Sequence, residues 1–108
     1  MCGIAGIYDH NLDRASQDSL IKGMISALQH RGPDGWGTYI TPGCVLGHTR
    51  LSIIDIEGGN QPFMSERYVI AYNGEVYNYI ELRDDLWKEG VKFHTRSDTE
   101  VVLRAFEY

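Results

Sequence analysis

Residues Gly3 to Tyr8 read Gly-Ile-Ala-Gly-Ile-Tyr, a short apolar run that predicts a buried first strand. A polar turn over Asp9 to Arg14 follows. Between Ser16 and Gln29 the apolar residues are Leu20, Ile21, Met24, Ile25 and Leu28, the spacing of one helical face. Ser16 or Asp18 is the expected cap and Gly32-Pro33 the expected stop. Trp36 to Thr41 and Cys44 to Ile54 predict two strands around the turn dipeptide Pro42-Gly43. Asp55 to Gln61, with Gly58-Gly59-Asn60, reads as a loop, and Tyr68 to Tyr72 as a strand ending at Asn73-Gly74.

The next helix is expected to start at Asn78, with Glu81 reaching back in a capping-box-like pair. Tyr79, Leu82, Leu86 and Trp87 form its buried stripe, and Gly90 its stop. Val91 to Phe93 predicts a short strand. Ser97-Asp98-Thr99-Glu100 reads as a second capping box, opening a helix through Val101, Val102, Leu103, Ala105 and Phe106. Several strands follow one another through short turns, so the pattern predicts an α+β fold with an at least partly antiparallel sheet. The last helix carries no stop signal at Tyr108, which leads us to expect part of a longer protein.

A length of 108 residues suits one domain. A hydrophobic share of 43% is enough to build a core and argues against disorder. The net charge of -5 argues against a nucleic-acid partner, which would call for clustered Lys and Arg. No apolar run approaches the ~18 residues of a membrane span, and the N-terminus lacks the basic region of a signal peptide. Two cysteines, Cys2 and Cys44, are too few for a disulfide scaffold, so a reducing cytoplasmic setting is expected.

His10, His30, His48 and His94 are dispersed and show no ligand spacing, so no metal site is expected. Gly32, Gly35 and Gly37 follow a helix and lack a Gly-Lys-Ser/Thr partner, so they read as turn residues rather than a phosphate cradle. Cys2 is different. Removal of Met1 would leave a thiol and a free α-amine on one residue, and that amine can take the thiol proton without a separate histidine. From the residue type alone, a small buried cysteine at a strand start is the favoured account of Cys2.

Five segments decide the matter together. They are Met1-Cys2-Gly3-Ile4-Ala5-Gly6-Ile7, Gln29-His30-Arg31-Gly32-Pro33-Asp34-Gly35, Gly47-His48-Thr49-Arg50-Leu51-Ser52-Ile53-Ile54-Asp55, Tyr72-Asn73-Gly74-Glu75-Val76-Tyr77-Asn78-Tyr79 and Ser97-Asp98-Thr99-Glu100. In this order they resemble the glutaminase domain of glutamine-hydrolysing asparagine synthetases, a class II glutamine amidotransferase domain. The resemblance covers residues 1–108 and matches the N-terminal portion of that domain. It implies an N-terminal-nucleophile hydrolase of the αββα sandwich type, here truncated, with the ATP-dependent synthetase domain absent.

The resemblance also implies roles. Cys2 would attack the glutamine side-chain amide and form a glutamyl thioester. Asn73 and Gly74 would form the oxyanion hole. Arg50 would hold the α-carboxylate of glutamine, Asp98 and Glu75 its α-ammonium, and Leu51, Ser52, Ile53 and Ile54 would line the pocket. No cofactor is implied in this segment; ATP and magnesium would belong to the synthetase domain, which is expected in cis. Glutamine is the expected partner, with no nucleic acid and no membrane, and a homodimer is compatible with the sequence. The ammonia would serve asparagine synthesis from aspartate. Rival readings are the same glutaminase serving a glucosamine-phosphate or phosphoribosylamine enzyme, a silent glutamine-binding module, and a partly folded fragment.

Overall fold

A computed structural model describes residues 2–51 and 59–108. The order is β1 (Gly3–Tyr8), α1 (Arg14–Ala27), β2 (Gly35–Thr41), β3 (Cys44–Arg50), β4 (Phe63–Met64), β5 (Val69–Ile70), α2 (Tyr79–Lys88) and α3 (Asp98–Glu107). The fold is α+β, and both described sheets are antiparallel. Strand β3 lies in the middle of a three-stranded sheet of order β1-β3-β2, while β4 and β5 form a separate hairpin.

Helix α1 covers one face of the three-stranded sheet. Its Ile21 and Ile25 pack on Val45, with Ala5, Ile7, Met24 and Ile40 around them. The predicted face is largely the buried one, although Leu20 is about half exposed. The cap differs from expectation: it is Asp13, which accepts a hydrogen bond from the Ser16 N–H at 2.7 Å, rather than Ser16 or Asp18. A carboxylate is the stronger acceptor for a free helix N–H, so the helix begins two residues earlier than Ser16. Gly32-Pro33 does not end α1, whose cap is Leu28. Instead Pro33 bridges to Arg50, and a side chain at Gly32 would fall 2.3 Å from the Arg50 nitrogen. Glycine is required there because the segment lies against the β3 backbone.

The strand expected over Tyr68 to Tyr72 is shorter and belongs to a hairpin that the pattern does not predict. Only Val69–Ile70 of the Tyr68 to Tyr72 stretch is strand, and its partner, Phe63–Met64, is too short to show alternation in the sequence. Helix α2 has no buried residue, and Trp87 is exposed. Its described packing is against α3, so the stripe remains half covered. Asn78 makes no side-chain cap bond; only its carbonyl enters the helix, accepting from the Leu82 N–H at 3.1 Å. Gly90 ends α2 with φ of +94°, as expected. Val91 to Phe93 is not a strand, because the Val91 N–H donates to the Leu86 carbonyl at 3.0 Å and completes the helix cap.

Helix α3 begins at Ser97, whose hydroxyl accepts from the Thr99 N–H at 3.1 Å. Glu100 does not close the box onto Ser97. Its fully buried carboxylate accepts from the N–H groups of His94 and Thr95 and from the Thr95 hydroxyl, and pairs with Arg104. This ties the N-terminus of α3 to the chain that leads into it. The expected strand residues Ser52, Ile53 and Ile54 lie outside the described residues.

Candidate active site

The site forms where the end of β3, the start of β1, the chain after β5 and the N-terminus of α3 meet. Cys2 stands immediately before β1. Its neighbour Gly3 donates an N–H to the Thr49 hydroxyl at 3.1 Å, and that hydroxyl donates to the Leu28 carbonyl at 3.1 Å. This relay anchors the start of β1 to both β3 and the end of α1. The Arg31 Nε–H donates to the Cys2 carbonyl at 3.2 Å. The Leu51 N–H points at Cys2 Sγ from 3.3 Å, a contact that strengthens when the sulfur carries negative charge.

Arg50 ends β3 and is buried, with Nη1 donating to Asn60 Oδ1 at 2.8 Å. Asp98 is buried in the first turn of α3 and accepts from the Val76 N–H at 3.0 Å, which ties the 73–76 segment to the helix. A cleft of about 300 Å³ lies between these elements. Of the residues expected to bind or react, Cys2, Arg50, Leu51, Asn73, Gly74, Glu75 and Asp98 all line it. Ser52, Ile53 and Ile54, also expected at the site, lie outside the described residues. Asn73-Gly74 does not turn a hairpin; Gly74 lies in a bend with no strand after it. Among the described residues no group of three or more His, Cys, Asp and Glu could hold a metal ion.

The cleft carries opposite charges, with the Arg50 guanidinium from the end of β3 and the carboxylates of Glu75 and Asp98 among its lining. A bound α-amino acid would find a cation for its carboxylate and anions for its ammonium. The Tyr72 phenol is pushed above its ordinary range by burial and by the carboxylates of Asp98 and Glu75, and so stays protonated.

A family model described as "Glutamine amidotransferase domain" matches residues 1–108. The chain belongs to the glutamine amidotransferase domain family. It is 46% identical over 112 residues to "Asparagine synthetase [glutamine-hydrolyzing] 1" of Bacillus subtilis, with all of this chain and 18% of that protein covered. It is 36% identical over 109 residues to "Asparagine synthetase B [glutamine-hydrolyzing]" of Escherichia coli, covering 99% of this chain and 20% of that protein. A probable asparagine synthetase of Dictyostelium discoideum is 39% identical over 110 residues, again at 20% of its length. The chain therefore spans about a fifth of the curated relatives it matches.

Among the residues of this amidotransferase domain's cleft that the sequence reading gave no role are His48, Gln61 and Tyr72. His48 had a usable signal. It stands two residues before Arg50 on β3, so strand alternation puts both on one face. Gln61 had none, since its part is a contact to distant chain. No helix among the described residues is long and apolar enough to cross a membrane.

Proposed function

We propose that this domain hydrolyses L-glutamine to L-glutamate and ammonia through a thioester on Cys2. Removal of Met1 frees the Cys2 α-amine, which takes the thiol proton as Sγ attacks the side-chain amide carbon. The tetrahedral oxyanion is received by the Asn73 side-chain N–H and the Gly74 backbone N–H. The amine returns its proton to the departing ammonia, and water then cleaves the thioester to glutamate. Arg50 holds the α-carboxylate and Asp98, with Glu75, the α-ammonium. The observation that carries this reading is the meeting of a cysteine, an Asn-Gly pair, a buried arginine and a buried aspartate in one cleft.

We also read the domain as an N-terminal-nucleophile hydrolase whose second sheet is completed by further chain. Ile4 and Tyr8 of β1 point away from α1 and are 51% and 79% exposed, which supports a second layer on that face. In the longer protein the ammonia would pass to an activated aspartate, as the relatives' names suggest, with ATP and magnesium belonging to that synthetase part. The test is labelling with a glutamine analogue that carries an electrophilic ketone on its side chain. Peptide mass analysis should find one adduct, on Cys2, and glutamine should protect against it. An adduct confined to Cys44, or none, would contradict the assignment.

A further inference from the structure

Past Ile70 the chain leaves its sheet, yet the backbone at Tyr72 is bonded on both sides by side chains from other elements. The Tyr72 N–H donates to Gln61 Oε1 at 2.5 Å. The Tyr72 carbonyl faces His48 Nε2 at 3.2 Å. A carbonyl only accepts, so His48 carries its proton on Nε2. Gln61 is itself fixed, its Nε2–H donating to the Thr99 hydroxyl at 3.1 Å, at the N-terminus of α3. The Tyr72 carbonyl belongs to the peptide unit that contains the Asn73 nitrogen, so holding that carbonyl sets the plane from which Asn73 and Gly74 start.

We propose that His48 and Gln61 are positioning residues for glutamine hydrolysis, a bracket that holds the Tyr72 backbone and thereby aims the Asn73-Gly74 oxyanion hole at the amide carbon attacked by Cys2. This rests on the thioester reading above. The chemistry favours a bracket over plain packing for two reasons. His48 is 1% exposed and spends its one buried donor on this carbonyl. Its Nδ1 has no partner among the described residues, and a proton there would be a buried donor left unpaired, which favours the neutral imidazole. Burial, and the nearby Arg50 cation, push the His48 pKa down in keeping with that state. A neutral ring with fixed Nε2–H is a rigid donor, unlike a solvated one. An oxyanion donor misplaced by about 1 Å costs on the order of 100-fold in rate.

The experiment measures kcat and KM for glutamine, and the Kd for glutamate, in the protein as its host expresses it. His48→Leu removes the donor; His48→Gln restores an N–H at similar reach. We expect His48→Leu to lower kcat about 10- to 100-fold, with KM and the glutamate Kd within about threefold, since Arg50 and Asp98 are untouched. His48→Gln should recover most of kcat. If His48→Leu does not fold, Gln61→Met against Gln61→Glu provides the same contrast, because glutamate keeps the acceptor for the Tyr72 N–H and methionine loses it. Unchanged kcat in His48→Leu or Gln61→Met, or His48→Gln failing as badly as His48→Leu, would overturn the bracket. Cys2→Ala is run alongside. If it is dead while His48→Leu is fully active, the bracket alone fails; if Cys2→Ala still turns over, the thioester reading fails and the bracket with it.

Discussion

Arg50 is a buried cation whose Nη1 already meets Asn60 on one side, so its guanidinium is held before substrate arrives. Arg50→Lys replaces a planar fork by a point charge on a flexible stem. The loss should be about 1.5–3 kcal/mol, the scale of hydrogen bonds to charged groups, and should appear as a raised KM for glutamine with kcat little changed. A fall in kcat at constant KM would mean that Arg50 does not clamp the substrate. Asn73 gives a sharper contrast. If it supplies an oxyanion donor, Asn73→Gly should lose roughly 100- to 1000-fold in kcat. If it only shapes the chain, glycine should be tolerated, and near-normal kcat would remove it from the mechanism. At this scale much of the site was legible: Cys2, Arg50, Asn73, Gly74 and Asp98 stand in motifs and meet in the cleft. Gln61 was not, because what it does is bond to Tyr72, and no local period reports a contact to distant chain; His48 offered only its alternation with Arg50 along β3, which places it on that face without giving its partner.

Helix α3 shows how one element carries a site. Its first turn presents Asp98 to the cleft and Thr99 to Gln61, and Glu100 anchors it with a carboxylate that is 0% exposed. Glu100→Ala would leave the His94 and Thr95 N–H groups without their acceptor and Arg104 without its buried partner. We expect a loss of about 3–5 kcal/mol in denaturant unfolding, together with a raised KM as Asp98 shifts. A loss under about 1 kcal/mol would show that the anchor is dispensable. The elements were legible where one strong cause acted. Helix α1 has a single apolar face and one sheet face to cover, and it was found. Helix α2 has a similar stripe, but among the described residues it packs beside α3 and the chain leading into it rather than on a sheet, so its periodicity did not become burial. The strand expected at Val91 was lost to a helix cap that used its N–H.

Across the whole molecule, the sheet is covered by α1 on one side and by the site-bearing loops at one end of the other. His48 lies at that junction, and its neutrality links the site to folding. Its folded pKa is below the ordinary value of 6.5, so the unfolded chain binds a proton that the folded chain refuses. Stability from this source is complete above pH 7 and falls as the pH drops through 6.5 toward the lower folded value. The unfolding free energy of the native protein relative to His48→Gln should therefore decline over that window; a flat or rising difference would contradict a buried neutral imidazole. The α+β class was visible from the pattern of short turns, whereas the β4–β5 hairpin was not, since two-residue strands carry no period.

The central claim is that Cys2 makes and breaks the covalent bond to substrate. The most direct measurement is ammonia release from glutamine, in protein whose N-terminal residue has been verified by intact mass as Cys2, beside its Cys2→Ala variant. The native protein should release one ammonia per glutamate formed. Cys2→Ala should release none above background while still binding glutamine within about threefold of the native affinity, because Arg50 and Asp98 remain. Turnover surviving in Cys2→Ala would contradict the account.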